Sequence, residues 1–502
     1  MPNPINPAVY WTNVALEANR RDFTFTEPKP GSTEKPSAPT EQGGPTLSSR
    51  ALAIVHLAMH DAYFSVSPTV PVPGPDRTWL PNLIPLKPAG ATNAEACMAA
   101  AAQAALRALY KASSQIASVD KAMAEFMPSA PMTSVDMAWG TEVANKILAA
   151  RKPDLDNVAQ AYGLSNAPYR HRSDPFSTGQ APHGQNWGKC PPFTVPRQHL
   201  AAPPGWSPTG VVPGAFYQTE FNGVLKKGVL AGSTRNPDQT VQGIYWAYDG
   251  ADKIGTPPRL YCQIALKIMK KFAATPASTV ETADYVRLLA LLTTAMADAG
   301  IQAWRWKYEY DLWRPVVGIR EADPSLGPNT NTPGKIVKAH TDWAPLGAPG
   351  TNQGTRGTPG FPAYPSGHAT FGAAAFQIIR RYAELKGFAP IPAGGDGEED
   401  LIAFDFISDE YNGVNRDPDN SVRPKHLRHF KSLWEATVEN SVSRVYLGVH
   451  WRFDGITKKD AGGNAIHANP PPAKPSELGD IGGVALGRKI ANELMTIGLK
   501  KA

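Results

Sequence analysis

Apolar residues along this chain recur mainly at three- and four-residue spacing, as expected for helices that bury one face. After Pro45, the positions Leu47, Ala51, Ile54, Val55, Ala58 and Met59 fall on one side of such a helix. The same periodicity predicts helices over 94–112, 115–126, 134–151, 258–273, 280–313, 368–386, 426–446 and 482–499. Gly387 stands just past Glu384-Leu385-Lys386, where a residue tolerant of positive φ ends a helix. No sustained period-two alternation is evident, so strands should be few and short. The fold class predicted is all-α: two helical bundles with long Pro/Gly-rich loops. An extended N-terminal arm (1–45, most clearly 27–45) would precede an N-terminal bundle (46–240) and a C-terminal one (241–502). The connections 164–215, 323–365 and 387–424 are long for a compact helical protein, and such loops, when ordered, tend to bind ligands or cover them.

Composition narrows the function classes. The apolar share of 42% and charged share of 19% are those of a globular chain with ample core. The net charge of +6 is spread along the sequence, with neither the basic stripe nor the module that nucleic-acid binding requires. Cys97, Cys190 and Cys262 are odd in number and far apart, which argues against a disulfide framework. No secretory leader is visible at the start, and the most apolar run, 96–106, is too short to span a bilayer, so a soluble protein of undetermined compartment and oligomeric state is expected.

Three polar stretches carry the chemistry. In the first, Trp304 to Pro315, Lys307 and Arg314 lie two helical turns apart, so one continuous helix would present both on a face with Trp304 and Asp311. Pro315 disfavours helical geometry at Arg314 and leaves its guanidinium free to fork onto an oxyanion. In the second, Pro365-Ser366-Gly367-His368, Ser366 is placed as an N-cap, with the Gly367 and His368 amides at the positive end of the following helix. His368, with an ordinary pKa of about 6.5, could serve there as acid or base. In the third, Ser443 to Trp451, Gly448 can end a helix so that Arg444 and His450 converge, while Asp454 could hold the second ring nitrogen of His450. Any one of these stretches is most simply an ordinary solvated face, cap or turn. Together, three fixed cations, an amide nest and two histidines fit a tetrahedral oxyanion better than a neutral substrate.

These motifs resemble the shared signature of the vanadium-dependent haloperoxidases and the type 2 phosphatidic-acid-phosphatase-like acid phosphatases. The runs Pro362 to Gly372, Leu447 to Asp454 and Tyr245 to Gly250 are closest to the vanadium chloroperoxidases. The resemblance implies vanadate bonded to His450, with its oxygens held by Lys307, Arg314, Ser366, the Gly367 amide and Arg444. It implies His368 as acid/base, Lys307 as the group polarising bound peroxide, and Asp249 as the partner of Arg444. Hydrogen peroxide, halide and small organic substrates would be the reactants, with no nucleic acid or membrane involved. Trp304 and Phe361 match positions on the halide side of chloroperoxidases; algal bromoperoxidases carry histidine at the second, so chloride and bromide oxidation is favoured over bromide alone. The alternative is an acid phosphatase in which His450 attacks phosphorus and His368 protonates the leaving group. A non-catalytic oxyanion-binding helical protein is a third reading. His56 and His60 form an i, i+4 pair in an apolar helix that is more simply hydrogen-bonded than metal-bound, and Gly350 to Gly357 lacks the lysine and hydroxyl of a phosphate loop.

Overall fold

Fourteen α-helices dominate the computed structural model, which describes residues 5–24, 40–157, 162–199, 202–204, 206–207, 210–211, 215–275, 279–321, 339–352 and 355–502. They are α1 (Pro7–Asp22), α2 (Gly44–Val66), α3 (Ala94–Leu109), α4 (Ser113–Glu125), α5 (Ser134–Ala150), α6 (Ala215–Lys227) and α7 (Pro237–Tyr245). Then follow α8 (Pro257–Ala273), α9 (Thr282–Tyr310), α10 (Pro315–Arg320), α11 (Gly367–Leu385), α12 (Leu433–Tyr446), α13 (Arg452–Gly455) and α14 (Gly483–Ile497). Strands among the described residues form four two-stranded antiparallel pairs: β1 (Trp206–Ser207) with β2 (Gly210–Val211), β3 (Ala348–Gly350) with β4 (Thr355–Gly357), β5 (Phe404–Asn412) with β6 (Lys425–Phe430), and β7 (Lys458–Lys459) with β8 (Ala465–Ile466). The all-α expectation holds.

Packing rather than capping decides most of these helices. Gly43 gives α2 no side-chain cap, a deficit of about a few tenths of a kcal/mol beside a serine or aspartate there. Its buried Leu52, Ile54, Val55, Leu57 and Met59 each contribute about 1.5–3 kcal/mol, which outweighs it. The axis of the molecule is α9, buried nearly all round and packed against α2 on one side and α11 on another. One continuous apolar core therefore runs from Ala8 to Leu499, shared by both halves of the chain. The last helix lies flush on α11 because Gly483 and Gly487 leave no side chain between them; a Cβ on Gly487 would stand 2.3 Å from the Thr370 carbonyl oxygen.

Long loops are pinned by buried aspartates. Asp298 of α9 accepts the amides of Phe193, Thr194 and Val195 at 2.5, 2.9 and 2.8 Å, and Asp174 accepts Thr358 N–H at 2.9 Å. Each carboxylate replaces water for backbone donors that a proline-rich segment cannot pair within itself.

The structure corrects several expectations. Within the stretch 1–45, expected to be extended, Pro7–Asp22 is a helix, started by Asn6 as N-cap and Pro7 at the first turn; residues 25–39 of the expected arm lie outside the described residues. Much of the expected loop 323–365 (322–338 and 353–354) also lies outside them. The expected loop 387–424 contains β5, and β6 takes the first residues of the helix expected over 426–446. Gly387, at φ +70°, does close α11 as expected. Finally α9 stops at Tyr310, because Asp311 turns left-handed (φ 52°, ψ 37°), and Arg314 is the extended residue before α10.

Candidate active site

That break reshapes the first polar stretch. Lys307 and Arg314 do not share a continuous helical face; the chain turns between them, and Asp311 faces away, bonded to Tyr162. Arg314 instead enters the centre from the N-cap of α10. Its Nε donates to Phe361 O at 2.8 Å, and its Nη1 donates to Val449 O and to His450 Nε2, both at 2.9 Å.

His450 is delivered by the turn after α12. Gly448 adopts φ +73°, and a Cβ there would stand 2.5 Å from Gly228 O, so glycine is required. Because Arg314 can only donate, His450 Nε2 carries a lone pair and its proton sits on Nδ1, which faces Asp454 Oδ2 at 2.8 Å. Burial pushes His450 well below the usual histidine range, reinforced by Arg314, Lys307 and Arg444, and burial lifts Asp454. Neutral imidazole with an unprotonated nitrogen beside a cavity is the form that ligates a metal, and a metal at Nε2 would take the lone pair that Arg314 Nη1 engages.

His368 takes the opposite tautomer. Ser366 caps α11 through Ala369 N–H, and the Gly367 and His368 amides open the helix, where no preceding turn can accept from them. His368 Nε2 lies 2.5 Å from the Ala247 carbonyl, which can only accept, so Nδ1 is the nitrogen left free. The expectation that His368 titrates near its ordinary value is revised: burial, with Arg444 beside it, pushes its pKa well below. Asp249 lies 3.8 Å from this ring and grips Arg444 with both oxygens, at 2.9–3.0 Å. Burial raises Asp249 while Arg444 opposes the shift.

His368, His450, Arg444, Asp249, Gly367, Trp304 and Phe361 line one cavity of about 480 Å³. Arg314, Ser366 and Lys307 stand behind it. Lys307 is fully buried, and its three hydrogens go to the carbonyls of Pro362 (2.9 Å), Ala363 (3.0 Å) and Pro365 (2.5 Å). It thus fastens the loop that ends in Ser366, and reaching a bound oxyanion would require exchanging one of these bonds. One wall is aromatic: the Trp304 ring lies 4.8 Å from Phe361 and 6.1 Å from Phe371.

An anion fits this centre on three counts. Lys307, Arg314 and Arg444 crowd this centre beside two carboxylates, Asp249 and Asp454, and burial pulls Lys307 well below its usual range and Arg314 down to about 9, shifts that a bound anion would oppose. Arg314 Nη2 and Arg444 Nε are buried without a hydrogen-bond partner among the described residues, a deficit of about 1–3 kcal/mol each that an oxyanion would remove. His450 Nε2 and two helix-opening amides complete a set suited to a tetrahedral oxyanion of a Lewis-acidic metal.

Sequence reasoning missed His183. It lines the cavity, its Nε2 lies 3.1 Å from Thr46 Oγ1, and its carbonyl accepts Trp304 Nε1 (3.2 Å) and the Tyr308 hydroxyl (2.7 Å). No local pattern marks it, since its neighbours Pro182 and Gly184 read only as loop. The His56/His60 pair is held by hydrogen bonds: His56 to Leu52 O and Thr12, His60 to Asp61 and Arg287. No cluster of metal-ligating side chains occurs among the described residues, and none of their helices is long and apolar enough to cross a membrane.

Comparison with known proteins identifies the family of the chain. Residues 4–182 match the vanadium chloroperoxidase N-terminal domain and residues 287–467 the second helical-bundle domain of the same family. The vanadium chloroperoxidase of Curvularia inaequalis is 33% identical over 582 aligned positions, spanning 99% of this chain and 90% of the relative. A bacterial vanadium-dependent iodoperoxidase shares the fold at TM-score 0.62 and 18% identity, covering 99% of this chain and 97% of that one. A holo bacterial vanadium-dependent chloroperoxidase does so at TM-score 0.54 and 15% identity, covering 92% and 95%. The chain belongs to the vanadium chloroperoxidase family.

Proposed function

We propose that this enzyme oxidises chloride and bromide with hydrogen peroxide, giving hypohalous acid that halogenates small organic molecules, with vanadate held on His450. The observation that carries the reading is the unprotonated Nε2 of His450, which accepts from Arg314 Nη1 at 2.9 Å beside a cavity lined by Arg444, opposite the Trp304–Phe361–Phe371 wall. Bound vanadate supplies a Lewis acid at which peroxide becomes open to attack by halide. The chain's own residues do the rest. Asp454 keeps the His450 proton on Nδ1 and so keeps Nε2 available. Arg314 Nη2, Arg444 Nε and the Gly367 amide would hold the oxyanion, and being fixed beforehand they would need little reorganisation. Ser366 shapes the helix start that presents Gly367 and His368. Lys307 holds the Pro362–Pro365 carbonyls in place, with its charge beside the oxyanion. Neutral His368 accepts a proton at Nδ1 and returns it, while Asp249 keeps Arg444 aligned. The aromatic wall strips water from the arriving halide. The overall step balances as peroxide, halide and one proton giving hypohalous acid and water.

The test is to remove vanadate with a chelator, restore it, and follow peroxide-dependent halogenation of an indicator with chloride and with bromide. Vanadate-dependent turnover with both is expected, and Phe361→His should lower the chloride rate more than the bromide rate. No turnover with either halide, alongside vigorous phosphate-ester hydrolysis, would favour an acid phosphatase using His450 as nucleophile.

A further inference from the structure

The segment Tyr245–Asp249 carries two contacts on which the site depends: the Ala247 carbonyl on His368 and the Asp249 carboxylate on Arg444. Between them stands Tyr248, fully buried, with φ +43°. A non-glycine residue in this left-handed region is strained by about 1–3 kcal/mol and persists only where neighbours determine it. Those neighbours come from β5. Glu410 Oε1 accepts Tyr248 N–H at 3.0 Å, Asp409 N–H donates to the Tyr248 hydroxyl at 2.8 Å, and Ser408 Oγ donates to Tyr245 O at 2.7 Å. The other oxygen of Glu410 is taken by Thr351 Oγ1 and by Arg423 Nη1, both at 2.5 Å. Thr351 follows the cavity-lining residues Ala348, Pro349 and Gly350, so this carboxylate joins two walls of the site from behind.

We infer that Glu410 is a positioning residue for the haloperoxidase site: by accepting Tyr248 N–H it holds the bend that turns the Ala247 carbonyl onto His368 Nε2, and so fixes His368 with Nδ1 free. The inference rests on the acid/base reading of His368 but concerns its orientation, which can be read without turnover. A carboxylate so deeply buried also pairs with Arg423, so a purely structural ion pair is the competing account. The two differ in what each requires. Positioning needs an acceptor for one amide, whereas an ion pair needs the charge.

The experiment uses the full chain freed of vanadate, with histidine labelled at nitrogen-15, and compares the parent with Glu410→Leu and with the double variant Glu410→Gln/Arg423→Met. The double variant abolishes the ion pair while leaving an amide oxygen for Tyr248 N–H. The nitrogen shifts of His368 report its tautomer, and calorimetric titration with orthovanadate reports affinity. Glu410→Leu should lose the single Nε2–H pattern and bind orthovanadate at least tenfold more weakly. The double variant should keep the pattern and bind within threefold of the parent, even if its melting temperature falls. Retention of the pattern in folded Glu410→Leu would overturn the inference, as would its loss in the double variant. Should Glu410→Leu not fold, the double variant decides alone. Halogenation surviving in His368→Ala would refute the acid/base reading separately, leaving the positioning result intact.

Discussion

Replacing Arg314 by lysine keeps a positive charge at the centre but removes the planar fork. In the structure that fork makes three hydrogen bonds, to Phe361 O, Val449 O and His450 Nε2, and holds Nη2 in reserve. An ammonium group donates from one point and cannot reach carbonyls on both sides of the cavity while also meeting an oxyanion. At least one hydrogen bond to the charged group is therefore lost with ligand bound, about 1.5–3 kcal/mol. At about 1.4 kcal/mol per tenfold, orthovanadate should bind Arg314→Lys roughly 10- to 150-fold more weakly. Calorimetric titration of the vanadate-free protein measures this directly, and differential scanning calorimetry of the same sample separates it from unfolding. Binding within threefold of the parent, in a variant that melts as the parent does, would refute the assignment of Arg314 as a forked oxyanion donor.

Two further outcomes are expected. Burial holds His56 down to about 4 from an ordinary 6.5, so between these values the unfolded chain binds a proton that the folded one does not. Stability from this group is present above about pH 6.5 and declines as pH falls toward 4; the gap between parent and His56→Gln, measured by urea unfolding, should narrow by about 2 kcal/mol from about pH 7 to about pH 5. An unchanged gap would contradict a neutral buried His56. Gly487→Ala, normally stabilising in a helix by about 1 kcal/mol, should here destabilise by about 1–3 kcal/mol, because the new Cβ meets the backbone of α11 at Thr370 and Ala374. Because α11 carries Gly367 and His368, orthovanadate affinity should fall with it; a raised melting temperature would show that the two helices can move apart freely.

Much of the site was legible because its chemistry is local in sequence. Ser366-Gly367-His368 and the pairing of His450 with Asp454 four residues on could be read from cap and turn rules alone. The break after Tyr310 was not legible, since Asp311 has no glycine-like mark of its left-handed turn, and helical spacing ran on unbroken through Trp313. The β5–β6 hairpin was overlooked although Phe404-Asp405-Phe406 alternates, because the surrounding prolines and glycines suggested loop. Helix α7 announced itself with Asn236, Pro237 and Gln239, a capping box that went unread. His183 and Glu410 had no signal at all: their roles come from tertiary contacts to Trp304 and Tyr248, far away in the chain.

The partners at this centre are far apart in sequence, with separations of 121 for Ala247 and His368, 136 for Arg314 and His450, and 195 for Asp249 and Arg444. The residues of the site span 247–454, so no short fragment of the chain holds them all. Vanadate should therefore favour forms in which these distant segments are already assembled, which would make the ion a reporter of folding around the site. At a free concentration of 100 times its Kd it should deepen the native well by about 2.7 kcal/mol, slowing degradation that proceeds through global opening about a hundredfold.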